Sequence, residues 1–173
     1  MEVTKVPSNH TNGKPNSKQF VVIHHTGYGV LENLLKWLSD MPKSLTYTRV
    51  SAHYLIAVDG TIYQIIPDDL DSWHAGSSKG VVHLFKDKVK EYQTKEVTDL
   101  NNKSIGIELH GDGNMTDFSD EQYESLIWLC KDLKEKYKID PRNILGHEDV
   151  SPARKRDPGR LFDWDRLFKG MYA

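Results

Sequence analysis

Three titratable side chains stand at or near the ends of apolar runs, where a rigid element could hold them at the rim of a sheet. His24 follows the run FVVI, Glu108 lies within SIGIEL, and His147 follows NILG. Sites in folds of alternating strands and helices are usually built at such strand ends. Asp157 comes ten residues after His147, in a loop whose prolines and glycine restrict its path. These four residues are the first candidates for a shared site.

Two imidazoles and one carboxylate are a donor set typical of catalytic zinc, and they leave a fourth position for water. Mg²⁺ and Ca²⁺ prefer oxygen donors throughout, so zinc is favoured over both, while iron with the same donors stays as an alternative. Zinc lowers the pKa of a coordinated water to about 7 and polarises a carbonyl group. The set His24, His147 and Asp157 therefore predicts one Zn²⁺ per chain and hydrolysis of an amide or an ester.

Such hydrolysis also needs a group that exchanges protons and a cation that stabilises the developing oxyanion. Glu108 lies in an otherwise apolar strand, where an unpaired charge is costly, so it should face a cleft or a partner. Lys155 lies two positions before Asp157 and could point into the same site, with a solvated lysine as the ordinary alternative. We expect Glu108 to be the acid/base and Lys155 to stabilise the oxyanion.

The remaining histidines differ in what they can do. His25 neighbours His24, and adjacent residues of a strand point to opposite faces, so the two should not bind one metal. His53 begins a predicted hairpin and is expected to be structural. An aromatic residue beside a histidine and two small residues could line a groove for a sugar or a peptide. That segment consists of Trp73, His74, Ala75 and Gly76, and these four residues together with His25 are the substrate-binding candidates.

Apolar periodicity predicts the elements that would hold these residues. Strands are expected at residues 20–23, 53–58, 61–66, 104–109 and 143–146, and helices at 31–38, 119–137 and 161–168. The pair Asp59-Gly60 predicts a two-residue hairpin turn between two of the strands. Residues 77–103 have weak periodicity and are expected to form a long excursion with one helical turn. Strands and helices alternate, so we expect an α/β single domain with a central mixed β-sheet flanked by α-helices.

The helix that begins after Ser119 has the clearest signals. Gln122 stands three residues later and completes a capping box. Cys130, the chain's one cysteine, falls within the apolar stripe of this helix and is expected to be a small core residue rather than a catalytic one. A lone cysteine also excludes an intramolecular disulfide.

Composition restricts the classes of function. The chain has 173 residues with 23 basic against 25 acidic side chains, and its pI is near 6.4. This balance argues against nucleic-acid binding, which requires a basic surface. Residues 1–18 are polar, with two prolines, and are expected to be a flexible or surface-draped N-terminal arm, with the catalytic domain at 19–173.

Apolar runs are short throughout the chain. None reaches the length of a secretory core or of the roughly 20 residues that span a bilayer. We therefore expect a cytoplasmic monomer without a membrane span. Action in the cell envelope is the alternative, if the chain is phage-encoded or if a signal was removed.

Five blocks in a fixed order resemble a known family. They are HHTG from His24, SAHYLIAVDGTIYQIIP from Ser51, WHAG from Trp73, SIGIELHG from Ser104 and GHEDVSPARKRDPG from Gly146, followed by FDWDRL. Together they resemble the zinc-dependent N-acetylmuramoyl-L-alanine amidases of type 2, over residues 19–168. That family shares a superfamily with the peptidoglycan recognition proteins, and its members cleave the amide between N-acetylmuramic acid and the L-alanine of the peptidoglycan stem peptide.

The resemblance implies roles for individual residues. His24, His147 and Asp157 would be the zinc ligands, Glu108 the acid/base, and Lys155 the residue that stabilises the tetrahedral intermediate. Other branches carry a tyrosine before the hairpin histidine and a cysteine as the third ligand, whereas this chain has Ala52 and Asp157. It therefore resembles most the bacterial branch of the anhydro-muropeptide amidase.

The resemblance leaves the substrate open between intact peptidoglycan and soluble anhydro fragments. A recognition module that binds muropeptide without cleaving it is a further alternative. A zinc hydrolase of the same fold that acts on another amide is a third.

Overall fold

The computed structural model describes residues 1–40, 50–76, 80–83 and 94–173. The strands are β1 (Val3–Lys5), β2 (Phe20–His25), β3 (Tyr54–Ile56), β4 (Ile62–Gln64), β5 (Gly80–His83), β6 (Thr94–Val97), β7 (Ser104–Leu109) and β8 (Ile144–Gly146). The helices are α1 (Leu31–Ser39), α2 (Asp120–Tyr137), α3 (His147–Val150) and α4 (Trp164–Tyr172), with 3-10 turns at Leu100–Asn102 and Pro141–Asn143.

Six of the strands form one mixed sheet in the order β1-β4-β3-β7-β2-β8. The strands β3, β7, β2 and β8 run parallel to one another, and β3 and β4 form the antiparallel hairpin. This confirms the predicted α/β class with a central mixed sheet. Within the excursion expected at 77–103, β5 and β6 pair antiparallel and Leu100–Asn102 supplies a helical turn, while 77–79 and 84–93 lie outside the described residues.

Both faces of the sheet are covered, which explains why its central strands are continuously apolar. Val21, Ile23, Ile105 and Ile107 alternate toward one face and pack against the buried stripes of α2 and α4. On the opposite face Leu55 packs against α1. That second face also carries the polar ends of β2 and β7, so α1 and the loops around it leave room there for a site.

The helix expected after Ser119 is α2. Ser119 accepts a hydrogen bond from the backbone N–H of Gln122, whose side chain accepts one from the N–H of Ser119, so the predicted capping box is confirmed. Cys130 is fully buried within the core, as expected. The last helix begins later than predicted, at Trp164, because Asp163 caps it by accepting from the N–H of Arg166.

The hairpin between β3 and β4 has a three-residue loop instead of the two-residue turn expected from Asp59-Gly60. Ala57 donates its N–H to the carbonyl of Thr61 and accepts from the N–H of Gly60. Gly60 has a φ of +82°, the left-handed conformation that the last position of such a loop requires. The glycine therefore marks the turn correctly, but it stands one position later in the loop.

The N-terminal segment, residues 1–18, packs against the sheet. β1 pairs in parallel with β4, and His10 and Asn16 are buried. Asp71 accepts hydrogen bonds from Thr11, Asn12 and Lys14, which fix the chain that follows. Within the described part of the chain, no helix has both the length and the apolar character needed to cross a membrane.

Candidate active site

The strand register brings the predicted residues into one row. In the parallel pair of β2 and β7, His24 lies directly beside Glu108. In the pair of β2 and β8, Ile23 lies beside Gly146, so His147 follows next to His24. All three side chains therefore stand at the carboxyl ends of adjacent parallel strands, where sites in such sheets are built.

Three donor atoms converge at this edge. His24 Nδ1, His147 Nδ1 and Asp157 Oδ2 lie 2.9 Å from one another, and all three residues are buried. Two imidazole nitrogens and a carboxylate oxygen that face one point suit a zinc ion, whose bonds to such atoms are about 2.0–2.2 Å long. The predicted donor set is thus brought together, and its chemistry fits zinc.

The protonation states of this cluster also suit a cation. Burial lowers the pKa of His24 to about 4, although the nearby carboxylate of Asp157 opposes this. Burial alone would raise the pKa of Asp157, but the imidazole nitrogens of His147 and His24, each 2.9 Å from its Oδ2, hold this pKa well below its usual range. A metal requires a neutral imidazole and an ionised carboxylate, and His24 and Asp157 have these forms at pH 7.

The loop between His147 and Asp157 is fixed by backbone hydrogen bonds. Glu148 donates its N–H to the carbonyl of Asp157, and Ser151 donates to that of His147. The Asp157–Pro158 peptide bond is cis. The short helix α3 begins at His147 and thereby turns the chain so that Asp157 returns to the strand end.

Glu108 lies beside the cluster with an unusual carboxyl group. Its Oε2 is shielded from solvent and has no hydrogen-bond partner among the described residues. Burial raises the pKa of Glu108 to about 8, the charge of Asp157 adds to this, and Lys155 opposes it. A carboxyl group with a pKa near neutrality can both accept and donate a proton, which is what an acid/base must do.

Lys155 is half-buried in the same loop. Its ammonium group lowers the pKa of both Glu108 and His24, so its positive charge acts on the space between them. The backbone N–H of Lys155 donates to Ser151, which ties this part of the loop to α3. The five residues singled out from the sequence for catalysis and metal binding therefore lie in one place.

His74 lies deeper than expected. Only 8% of it is exposed, and its Nδ1 lies 2.9 Å from His24 Nε2 while its Nε2 lies 3.1 Å from Ser104 Oγ. It therefore stands behind a candidate ligand instead of lining a groove. Ser104 was not singled out from the sequence, since a serine at the start of a strand carries no signal of its own.

The other substrate-binding candidates are spread around the site. Trp73 is half-buried with its ring stacked 6.0 Å from that of His10, and Ala75 is buried with its N–H donated to Asn101. Gly76 is exposed beside the guanidinium group of Arg154. Ala75 therefore cannot offer a side chain to a groove, whereas Trp73 and Gly76 stay accessible.

Two further histidines have clear surroundings. His25 points away from His24, and its Nε2 lies 3.1 Å from Asn114 Nδ2. His53 is fully buried, and its Nδ1 accepts a hydrogen bond from the N–H of Gly106. His53 thus has the structural position that the sequence predicted.

Comparison with known proteins identifies the family. A family model described as Amidase_2, N-acetylmuramoyl-L-alanine amidase, matches residues 13–160. The chain belongs to this family. This confirms the resemblance found in the sequence blocks and the expectation that the chain is an enzyme.

Two AmpD relatives match this amidase over most of both lengths, and a third relative matches part of it. The 1,6-anhydro-N-acetylmuramyl-L-alanine amidase AmpD of Escherichia coli is 34% identical, with 94% of this chain and 88% of the relative covered. AmpD of Haemophilus influenzae is 35% identical, with 96% and 91% covered. The N-acetylmuramoyl-L-alanine amidase AmiD of E. coli is 34% identical over 72% of this chain and 45% of its own length.

Solved structures agree with this assignment. Crystalline AmpD superposes with a TM-score of 0.74 at 31% identity, covering 98% of this chain and 94% of that one. A complex of E. coli AmiD with the substrate anhydro-N-acetylmuramic acid-L-Ala-D-γ-Glu-L-Lys superposes with a TM-score of 0.71 at 30% identity, covering 92% and 59%. The fold of the chain is that of these amidases.

Proposed function

We propose that the chain hydrolyses the amide bond between N-acetylmuramic acid and the L-alanine of the stem peptide, and that it prefers soluble fragments with a 1,6-anhydro sugar to intact peptidoglycan. The observation that carries the proposal is the convergence of His24, His147 and Asp157 beside the buried carboxyl group of Glu108. The preference is supported by the AmpD relatives, which are named for the anhydro sugar and match the chain over most of both lengths.

His24, His147 and Asp157 would hold one zinc ion. When bound, zinc lowers the pKa of water to about 7 and polarises the carbonyl group that is attacked. The three residues are buried at the ends of strands and in a loop fixed by hydrogen bonds, so they need little rearrangement to bind. Because two of the three donors are imidazole nitrogens, the set favours zinc over Mg²⁺ and Ca²⁺, which prefer oxygen donors.

Glu108 takes the proton of the attacking water and gives a proton to the amino nitrogen of the departing L-alanine. Its pKa of about 8 suits both transfers near neutral pH. Lys155 places a positive charge near the same point and stabilises the negative charge that develops on the carbonyl oxygen. Both residues act from outside the donor triangle.

The accessible candidates would contact the substrate. Trp73 is a half-buried aromatic residue, and Gly76 is exposed beside the guanidinium group of Arg154. His25, held beside Asn114, would contribute from the neighbouring edge of the site. His74 and Ala75 are buried and are better suited to support these residues than to touch the substrate.

The test compares two substrates. The zinc-loaded chain is incubated in parallel with a soluble anhydro-muramyl tripeptide and with intact sacculi, and the products are identified by mass spectrometry. We expect free stem peptide that disappears with a chelator, and faster release from the soluble substrate. Faster release from sacculi would overturn the preference, and no release from either substrate would overturn the amidase and favour a recognition module.

A further inference from the structure

A chain of hydrogen bonds runs from His24 away from the donor cluster. His24 Nε2 lies 2.9 Å from His74 Nδ1, and His74 Nε2 lies 3.1 Å from Ser104 Oγ. Ser104 Oγ in turn donates to the backbone carbonyl of Leu100 at 2.6 Å. All of these residues are buried, so water does not compete for the bonds.

The backbone carbonyl of Leu100 decides which group donates in each of these hydrogen bonds. A carbonyl oxygen only accepts, so the one hydrogen of the Ser104 hydroxyl is used on Leu100 and its oxygen is free to accept. His74 must then carry its proton on Nε2, which leaves its Nδ1 as an acceptor. His24 therefore donates from Nε2, and the lone pair of its Nδ1 faces His147 and Asp157.

We propose that His74 and Ser104 are positioning residues that fix the tautomer and the ring orientation of His24 for zinc. The inference rests on the proposed zinc site and adds two residues to it. Ligating histidines usually donate their second ring N–H to a carboxylate, a carbonyl or water. Here a neutral imidazole takes that place, so His24 is oriented without another negative charge behind the site.

The sheet is shaped to hold this imidazole. Gly106 lies between Ser104 and Glu108 on β7, and a Cβ at Gly106 would stand 2.5 Å from Cγ of His74. The ring thus occupies the space that a side chain would fill. Ala75 donates its N–H to Asn101 Oδ1, and this bond fixes the segment that carries His74.

The second ligand has no comparable support. His147 Nε2 is buried and has no hydrogen-bond partner among the described residues. His147 is instead oriented by its place at the start of α3. We therefore expect changes behind His24 to reduce zinc affinity even though they touch neither the metal nor the substrate.

The main test removes one hydroxyl group. Ser104→Ala frees His74 to adopt either tautomer, and zinc affinity, measured by competition with a chelating dye, should fall about tenfold. Ser125→Ala is the matched control, since Ser125 is also buried and donates to a backbone carbonyl, that of Gly60, at 2.6 Å. The control should bind zinc as the unsubstituted chain does, whatever stability either variant loses.

Two variants at His74 extend the test. His74→Phe keeps a ring but removes both hydrogen bonds, and zinc affinity should fall about 10–100-fold. His74→Gln keeps an acceptor for His24 and a donor for Ser104, and should recover much of that loss. Equal zinc affinity in the unsubstituted chain, Ser104→Ala and His74→Phe would overturn the inference and leave the proposed function standing.

A spectroscopic measurement examines the tautomers directly. Long-range ¹H–¹⁵N spectra of the zinc-loaded full chain should show protons on Nε2 of both His24 and His74. A proton on Nδ1 of His74 would overturn the inference even if Ser104→Ala binds zinc weakly. Failure of the unsubstituted chain to bind zinc would overturn the proposed function together with the inference.

Discussion

Glu108 and Asp157 are two carboxyl groups in one site with opposite acidities. Asp157 Oδ2 lies 2.9 Å from an imidazole nitrogen of both His24 and His147 and stays ionised, whereas Glu108 Oε2 is buried without a partner among the described residues. The charge of Asp157 itself contributes to the raised pKa of Glu108, which is about 8. Asp157 is thereby suited to hold a cation and Glu108 to transfer a proton. Two carboxyl groups can have such different roles when their surroundings move their pKa values apart.

Glu108→Gln should separate these two tasks. The amide keeps the size of the side chain but cannot exchange the proton, so turnover of the anhydro-muramyl tripeptide should fall about 10²–10⁴-fold. Zinc content, measured by atomic emission, should stay at that of the unsubstituted chain. Substantial activity in Glu108→Gln would remove Glu108 from the mechanism.

Lys155→Met should reduce kcat more than it changes KM, because the charge is needed when the oxyanion forms. Removal of one stabilising group of this kind costs about 10²-fold in kcat. Arg156→Met is the control, since Arg156 is the next residue, carries the same charge and is exposed. If the two variants had the same kcat, Lys155 would be an ordinary solvated lysine.

The sequence predicted the residues that end strands, because apolar runs show where strands stop and polar side chains begin. His24, Glu108 and His147 are of this kind. It did not predict the position of His74, which depends on tertiary contacts: its partners His24 and Ser104 lie 50 and 30 residues away along the chain. Composition of the WHAG segment indicates a turn but not the direction in which its ring points.

Among the elements, β7 contributes residues both beside the donor cluster and to the hydrogen bonds behind it. Glu108 faces the space beside the donor cluster, Gly106 leaves room for the ring of His74, and Ser104 ends the hydrogen-bonded chain. These three residues alternate along one face of the strand. A glycine within a strand often marks a close approach of another group, and that is its function here.

Gly106→Ala should therefore be costly. The added methyl group would meet the ring of His74 at 2.5 Å, and overpacking of this kind lowers the free energy of unfolding by about 1–3 kcal/mol. Urea denaturation would measure it. The double variant Gly106→Ala/His74→Ala should regain stability but not zinc affinity, and an additive loss in the double variant would contradict the clash.

Element boundaries were less predictable than the elements themselves. Gly60 correctly indicates a turn, but its left-handed backbone falls at the third loop residue, which the Asp-Gly pair alone does not specify. Leu161 extends the apolar pattern of α4, yet Asp163 caps the helix and decides where it begins. Local hydrogen bonds set these ends, and periodicity does not detect them.

At the scale of the whole molecule, Asp68 joins the hairpin to the long helix. Its carboxylate accepts hydrogen bonds from Tyr54 of β3, Gln64 of β4, and Lys136 and Tyr137 of α2. Burial alone would raise the pKa of Asp68, but the bonds from Tyr137, Tyr54 and Lys136 outweigh it and the pKa is lowered. The ionised carboxylate of Asp68 thus links β3 and β4 of the sheet to the helix α2 that covers them.

Asp68→Asn should lower the free energy of unfolding by about 2–3 kcal/mol at pH 7, since bonds to a charged group are lost. Because the pKa is lower in the folded chain, the stabilisation is complete above the unfolded value of about 3.9 and is lost as the pH falls through the folded value. The free energies of unfolding of Asp68→Asn and of the unsubstituted chain, measured by urea denaturation, should therefore converge at acid pH. Asp69→Asn, at an exposed neighbour, is the control. If the difference in the free energy of unfolding between Asp68→Asn and the unsubstituted chain did not shrink at acid pH, the assigned role of the ionised Asp68 would be contradicted.

The pairing of β1 with β4 changes which strand forms an edge of the main sheet. Without β1, the backbone groups of β4 would be open to strand addition by another chain, which is a common route to aggregation. With it, β4 is paired on both sides, and the outermost strand, which is as short as β4, ends in the charged Lys5. Short and charged edges of this kind disfavour pairing with other chains. The polar start of the sequence thereby protects the enzyme from self-association through this edge.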